Sequence, residues 1–266
     1  MSFYKRLILL AFTILFLGSC SKFNRIVKSD DLQKKYDAAI NYYHQKSYYK
    51  AGILLEELLP LITGQKEQEI AQFYYGYCHY YQRQLSLGAF YFNKFYQNFR
   101  ASQYAEEALY MYARCMYEDT PEYNLDQTNT TSAIAAAQNF LNVYPQSKYA
   151  ADCNKFIKDL REKLERKAYE NAKLYYKIGY LHAAVIAFGN FKNSFPDSDY
   201  NEECAFLKLQ AQYDYARLST ERKQKERYNE AINFYLNFID TYPNSKYLKQ
   251  AEKIYNSALS KINNLK

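Results

Sequence analysis

Residues 140–149 read Phe-Leu-Asn-Val-Tyr-Pro-Gln-Ser-Lys-Tyr, and the pattern in this segment recurs along the chain. It consists of an aromatic residue, three residues, a second aromatic residue and, in three of four copies, Pro-x-Ser-x-Tyr. The serines are 45, 51 and 47 residues apart. Such a period, between about 20 and 50 residues, is typical of stacked supersecondary units. The four copies are residues 95–104, 140–149, 191–200 and 238–247.

One unit shows how the pattern specifies two helices. Ala172, Tyr175, Ala184 and Phe188 precede Pro196 at the spacing of the tetratricopeptide repeat (TPR). The alanines let the two helices approach closely, and the aromatic residues fill the groove between them. Pro196 ends the second helix because it has no N–H to donate. The serine after the proline is then expected to cap the next helix.

The same register fits five times, which predicts an all-α fold, a right-handed superhelical solenoid of about five TPR helix pairs. Only 7 glycines and 5 prolines accompany 32 tyrosines, a composition that favours helices over sheets joined by tight turns. A terminal helix is expected from about Ser245. The predicted ends of the ten repeat helices lie near Tyr43, Leu59, Tyr81, Phe99, Tyr117, Val143, Tyr176, Phe195, Leu218 and Tyr242.

Three segments lengthen the repeats. Residues 119–131 are polar and predict an insertion loop, residues 156–167 predict a charged helical extension, and residues 219–227 widen the fifth repeat. The predicted organisation begins with a signal peptide (residues 1–19) and a linker (residues 20–32). An N-terminal TPR region with repeats 1–2 and the first helix of repeat 3 follows (residues 33–118), then the loop (residues 119–131) and a C-terminal TPR region (residues 132–266).

The N-terminus has the pattern of a secretion signal. Two basic residues precede an apolar run of about 11 residues, which is short of the roughly 20 that a membrane-spanning helix needs. Leu17-Gly18-Ser19-Cys20 resembles the lipobox of bacterial lipoproteins, in which the cysteine becomes the N-terminus and carries diacylglycerol and an N-acyl lipid such as palmitate. The alternative is an ordinary secretory signal. Because Ser21 rather than aspartate follows Cys20, the sorting rule of Gram-negative lipoproteins implies the outer membrane, facing the periplasm.

The remaining composition excludes several classes of function. Loss of Lys5 and Arg6 with the signal lowers the formal charge from +7 to +5, without an arginine stripe that would indicate nucleic-acid binding. The three histidines are isolated and no phosphate loop or catalytic pattern is present, which predicts no enzyme activity, no metal and no cofactor beyond the lipid. We expect the later cysteines to be small buried residues, with a disulfide as the alternative: Cys78, Cys115, Cys153 and Cys204.

The function is therefore expected to lie in a surface. The first helices of the repeats line the concave face of a TPR solenoid, where extended peptides and partner helices bind. Tyrosine offers contact area with a polar tip, and arginine can bind a carboxylate through two hydrogen bonds. For any single tyrosine, packing between helices is the competing interpretation. The predicted peptide-binding residues are Tyr36, Tyr43, Tyr75, Tyr80 and Arg83.

Together these features resemble the BamD family of outer-membrane assembly lipoproteins, also called YfiO-like. The resemblance rests on the lipobox, the five repeats, Tyr/Phe-Pro-x-Ser, residues 123–128 with the following Ala133–Tyr149, and residues 172–180. The chain departs from the family pattern in its tyrosine content, at Arg100 in place of proline, and at Gly88.

The resemblance implies a non-catalytic scaffold of the β-barrel assembly machinery. Its N-terminal repeats would bind unfolded outer-membrane proteins, and repeats 4–5 would bind the periplasmic domains of a BamA-like barrel protein. One alternative is a periplasmic TPR adaptor for cell-wall synthesis or division. A more remote one is a cell-wall hydrolase.

Overall fold

A computed structural model describes residues 22–265. Residues 22–27 form a short helix, α1, and every further regular element in this range is also a helix. The predicted signal peptide and Cys20 lie outside the described residues. The longer helices are α2 (Leu32–His44), α3 (Tyr48–Leu58), α4 (Glu67–Tyr81), α5 (Leu85–Asn98), α6 (Ala105–Glu118), α7 (Thr128–Val143), α8 (Ala150–Lys177), α9 (Leu181–Ser194), α10 (Asn201–Arg217), α11 (Glu221–Thr241) and α12 (Leu248–Asn264).

The helices form two compact units. The first comprises the described residues up to Pro121 together with Gln127–Leu160, and the second comprises Glu122–Asp126 and the residues from Arg161 onward. Consecutive helices pack as pairs, α2 with α3, α4 with α5, α6 with α7 and α10 with α11. This arrangement confirms the all-helical TPR fold. All ten predicted helix ends lie within one residue of the observed ends, and the terminal helix begins three residues after the predicted Ser245.

The recurring motif builds the joint between repeats. Its first aromatic residue is fully or almost fully buried at Phe95, Phe140, Phe191 and Phe238. Its final tyrosine stacks on an aromatic ring of the preceding first helix, with Tyr149 and Tyr110 at 4.1 Å between ring centroids. The same stacking recurs at the other three joints, in the pairs Phe73–Tyr104, Tyr169–Tyr200 and Phe206–Tyr247.

The motif serine acts differently from the predicted helix cap. Ser147 Oγ accepts a hydrogen bond from the N–H of Tyr149, which precedes α8, so the serine orders the turn rather than the helix itself. The same hydroxyl donates to Glu106 at 2.6 Å, in the first turn of the preceding first helix. Ser102 and Ser245 repeat this link through Glu69 and Glu202, at 2.5 and 2.6 Å.

The fourth joint is built in another way. Among the described residues no carboxylate accepts from Ser198, although its Oγ still accepts the N–H of Tyr200 at 3.0 Å. Instead the buried Asn201 donates through Nδ2 to the carbonyls of Phe195 and Pro196, at 2.8 and 2.9 Å. A side-chain amide therefore holds this turn from within the following helix.

Two of the three lengthened segments, residues 119–131 and 219–227, are partly helical. Helix α7 begins at Thr128, so the last four residues of the polar segment 119–131 are helical. Residues 221–227 are the N-terminal turns of α11. The charged segment 156–167 lies within α8, which is continuous over 28 residues, as the sequence predicts.

The segment expected to be a linker also has structure. Phe23, Ile26 and Val27 of α1 pack against the core of the first helix pair. The ring of Phe23 meets that of Tyr42 edge-on at 5.7 Å. Asp31 then caps α2, because its side chain accepts the N–H of Lys34 at 3.0 Å.

Small residues permit the close packing of the first unit. A side chain at Gly76 would lie 3.0 Å from the ring of Phe92, and one at Gly88 would lie 3.2 Å from the sulfur of Cys115. The four cysteines in the described range are buried and free, as expected of small apolar residues. Burial raises the pKa of each thiol to about 12, so these side chains stay protonated.

Candidate functional site

Tyrosines of the first helices are held by acidic residues of the next first helix. The hydroxyls of Tyr110 and Tyr117 on α6 donate to Asp152 and Asp159 on α8, each at 2.8 Å. In the second unit, Tyr176 donates to Asp214 at 2.8 Å. Burial disfavours the phenolate and the carboxylates accept hydrogen bonds from the phenol, so the pKa of Tyr110, Tyr117 and Tyr176 is raised. The phenols therefore stay neutral donors.

In the first unit the tyrosines merge into a continuous aromatic surface. We call Tyr43, Tyr48, Tyr74, Tyr77 and Tyr81 the tyrosine cluster. The rings of Tyr43 and Tyr74 stack at 4.1 Å, and those of Tyr48 and Tyr81 stack at 4.3 Å. Tyr77 is buried beneath them and donates to Glu107. Tyr81 remains 46% exposed, so the cluster has a buried base and an accessible rim.

A charged group adjoins the cluster. Glu118 accepts from Tyr80 at 2.8 Å, from Arg83 at 2.6 Å and from Arg114 at 3.0 Å. The side chain of Glu118 is 18% exposed, whereas that of Arg83 is 67% exposed. Burial by itself would raise the pKa of Glu118, but the three hydrogen bonds outweigh it and lower that pKa. Two guanidinium groups thus share one carboxylate and keep donors for a further acceptor.

Arg83 has an uncommon backbone conformation. Its φ is +61°, in the left-handed region that favours glycine. Gly179 occupies the equivalent place in the turn between α8 and α9, with φ +84° and the same pair of backbone hydrogen bonds to the preceding helix. Lys46 occupies it between α2 and α3, with φ +59°. Left-handed conformation costs a non-glycine residue about 1 kcal/mol, so Arg83 is held there at the expense of stability.

The structure brings together most of the predicted peptide-binding residues. Tyr36 and Tyr43 are half-buried on α2, and Tyr80 and Arg83 meet at Glu118. Tyr75 does not lie on this surface, because it is only 4% exposed and packs on the opposite side of α4, against α5. Six further residues of this surface and its base are not among those predicted from the sequence: Tyr48, Tyr74, Tyr77, Tyr81, Arg114 and Glu118.

Tyr75 belongs to a small polar cavity of about 260 Å³ between α3, α4 and α5. Its ring meets those of Tyr91 and His79 at 4.5 Å. His79 is 8% exposed, stacks on Tyr91 and shares a hydrogen bond with Gln84 at 2.6 Å. These contacts make His79 a residue that packs between helices. Gln72 Nε2 is buried in the cavity wall with no hydrogen-bond partner among residues 22–265.

The second unit contains a larger groove of about 650 Å³ between α9, α10 and α11. Lys208 lies in it, with its ammonium 4.3 Å from the ring centroid of Phe234. Burial, together with the charge of Lys192, lowers the pKa of Lys208, and Glu230 opposes the shift. Glu230 is engaged by Gln212 at 2.9 Å, and no ion pair to Lys208 is formed within the described part of the chain.

We call this groove the Lys208 groove. Besides Lys208, which has no ion pair, it contains a second polar group without a partner in the described chain, the side-chain carbonyl of Asn201. Its Oδ1 is buried with no hydrogen-bond donor in the described range, while its Nδ2 is fully used by the turn. Burial of an unsatisfied polar atom costs about 1–3 kcal/mol. The groove therefore offers one cation and one acceptor to a ligand.

The profile of the YfiO family, described as outer membrane lipoproteins, matches residues 28–227 of the chain, three quarters of its length. The chain belongs to the YfiO family. One protein similar to this chain is the outer membrane protein assembly factor BamD of Caulobacter vibrioides, which is 30% identical to it over 117 residues. That match covers 44% of this chain and 37% of the relative, so the chain spans little more than a third of the relative's length.

Solved structures add little to the YfiO assignment. Two crystal structures of nearly identical, kinesin-light-chain TPR-like repeats from Podosopora anserina align with 86% of the chain. The alignments cover 95% and 96% of those two chains, with sequence identities of 10% and 12%, and both TM-scores are 0.33. Within residues 22–265 of this YfiO member, no helix is long and apolar enough to cross a membrane.

Proposed function

We propose that this chain is a non-catalytic, lipid-anchored subunit of the machinery that assembles β-barrel proteins in the outer membrane. The family match over residues 28–227 carries the proposal, and the lipobox at Cys20 supports an anchor on the periplasmic face. Two acyl chains or more give stable attachment where one would be marginal.

The tyrosine cluster suits the binding of an extended, aromatic-rich segment of an unfolded outer-membrane protein. Stacked rings expose faces and edges on which further aromatic side chains can pack, at about 0.5–1.5 kcal/mol for each ring pair beyond area burial. Burial raises the pKa of Tyr43 and Tyr48, so their hydroxyls are neutral and can both donate and accept. Arg83 lies close enough to the cluster to bind a carboxylate of the same segment.

The Lys208 groove suits a folded partner that presents an acidic side chain. A carboxylate next to Lys208 would gain a charged hydrogen bond in a partly desolvated site, and an N–H from the same partner could satisfy Asn201. We assign this groove in repeats 4–5 to the periplasmic domains of a BamA-like barrel protein.

The first test uses two turns with the same backbone conformation. Arg83→Gly relieves left-handed strain and removes the guanidinium, while Lys46→Gly relieves the same strain at the equivalent turn and serves as the control. Both variants should keep wild-type stability to within about 1 kcal/mol, because the Arg83 guanidinium is mostly exposed and Glu118 keeps its bonds to Tyr80 and Arg114. Binding of a fluorescent peptide that ends in an aromatic residue and a free carboxylate should weaken about tenfold in Arg83→Gly only. Equal loss in both variants, or in neither, contradicts the assignment.

The second test identifies partners. A C-terminally tagged full chain, purified from detergent-solubilised outer membrane, should bring down a BamA-like barrel protein, and Lys208→Met should reduce its recovery. Lys249→Met, on exposed surface of α12, is the control. Recovery of cell-wall synthases or division proteins without a barrel protein would support the adaptor alternative instead.

A further inference from the structure

The short helix α1 has two unlike faces. Phe23, Ile26 and Val27 pack against the first helix pair, whereas Lys22, Arg25 and Lys28 lie on the other side and are exposed. The spacing of three residues between successive cations places them in one stripe along the helix. No acidic residue of the described chain forms an ion pair with these three side chains, and residues 1–21 contain no aspartate or glutamate.

Several contacts fix α1 to the first repeat. The ammonium of Lys50 lies over two rings, 5.7 Å from the centroid of Phe23 and 5.4 Å from that of Tyr42. The backbone N–H groups of Lys28 and Ser29 donate hydrogen bonds to the carbonyls of Asn24 and Ile26 and so end α1 at its C-terminus. Because the apolar side of α1 is occupied by the first repeat, its basic side cannot turn inward. The stripe is therefore an outward surface of the folded unit rather than part of a mobile tether.

We propose that this basic face of α1 binds anionic phospholipid headgroups and holds the first repeat against the membrane. The inference rests on the proposed lipid at Cys20, which is two residues before Lys22 in sequence and so brings this face to the bilayer surface. Residues 22–50 contain seven basic and three acidic residues, and of the basic ones only Lys35 is buried, in an ion pair with Glu57. Each Lys or Arg near an anionic surface adds about 1 kcal/mol, or roughly fivefold in affinity.

The absence of tryptophan from the sequence provides a clean reporter. Asn24 is exposed and lies beside the basic stripe, so Asn24→Trp introduces one fluorophore at the proposed contact. The lipidated full chain with this substitution is reconstituted on vesicles of phosphatidylcholine alone and on vesicles that also contain phosphatidylglycerol. Both carry the same fraction of brominated phosphatidylcholine, which quenches tryptophan only at short range.

We expect stronger quenching on the vesicles with phosphatidylglycerol, and loss of the difference at high salt. Replacing Lys22, Arg25 and Lys28 by glutamine should reduce the extra quenching at least fivefold. The matched control replaces three exposed lysines of α12 by glutamine, which changes the net charge equally and should leave quenching intact: Lys249, Lys253 and Lys261.

Other outcomes separate this inference from the proposed function. Equal quenching on both vesicles, or equal loss in both triple variants, overturns the headgroup contact while the lipid anchor stands. A chain that stays in solution with phosphatidylcholine vesicles but binds those with phosphatidylglycerol lacks the anchor and supports the basic surface. Quenching that is prevented by a co-purifying acidic protein assigns the face to that protein and overturns the membrane contact.

Discussion

The tyrosine cluster of the first unit and the Lys208 groove of the second differ in how their polar groups are satisfied. Tyr77 at the base of the cluster already donates to Glu107, and Glu118 beside it accepts three hydrogen bonds. In the groove, Lys208 has no ion pair and Asn201 Oδ1 has no donor in the described chain. A satisfied surface can accept many sequences through ring contacts, whereas an unsatisfied one selects a partner with complementary polar groups.

The largest expected effect tests whether the cluster is part of the core. Tyr77→Ala should lower the free energy of unfolding by about 3–5 kcal/mol, because it removes a buried ring and leaves Glu107 without its donor. Tyr81→Ala, at the exposed rim, should cost about 1 kcal/mol. Urea unfolding of both variants, followed by circular dichroism, gives the two values. Similar losses would mean that the cluster has no buried base.

An intermediate effect is expected at Glu118. Glu118→Gln should cost about 1–3 kcal/mol near neutral pH, since a neutral amide cannot accept equally well from two guanidinium groups. Hydrogen bonds lower the pKa of Glu118 in the folded state, so its stabilisation is present above the ordinary value of 4.5 and is lost as the pH falls through the lowered pKa.

The difference between wild type and Glu118→Gln should therefore shrink on acidification in a series of urea titrations. Glu226→Gln is the control, because Glu226 pairs with Lys223 on exposed surface and its replacement should change nothing measurable. A difference that persists at the lowest pH would show that Glu118 contributes by shape rather than by charge.

The smallest expected effect is in the groove. Lys208→Met should leave stability unchanged or raise it by up to about 1 kcal/mol, because the ammonium is desolvated without an ion-pair partner. The lowered pKa of Lys208 means that the folded state binds this proton less tightly than the unfolded state does, so wild type gains stability as the pH rises towards 10.5. Thermal unfolding at neutral and alkaline pH should show the variant's advantage disappearing. A loss above 1 kcal/mol at neutral pH would make Lys208 a structural residue.

The ends of four helices, α5, α7, α9 and α11, were predictable because a copy of the recurring motif lies at each of them. Pro145 cannot continue helix α7, and Phe140 has to face the core. Together they leave little choice of where this helix ends. The serine was less predictable. Its hydroxyl does order a turn, but its donation to Glu106 links residues 41 positions apart, and spacing along one chain does not reveal such a pair.

The candidate site was predictable only in part. Tyr74, Tyr75, Tyr77, Tyr80 and Tyr81 cover most directions around α4, so periodicity alone could not tell which of them face outward. Lys208, in the middle of α10, has the sequence appearance of a solvated helix residue, and only the packing of α9 and α11 around it shows its burial. The six helical residues of α1 leave too short a pattern to distinguish a helix from a linker by sequence alone.

The serine–glutamate bonds have a consequence for how the array opens. Each joins a turn to the first helix of the preceding pair, so fraying of one repeat removes a contact from its neighbour and opening spreads along the stack. At Ser198 the bond is replaced by Asn201, which acts only across its own turn. Unfolding should therefore be least cooperative at that joint. The helices on one side of it can then unfold locally while those on the other side stay folded.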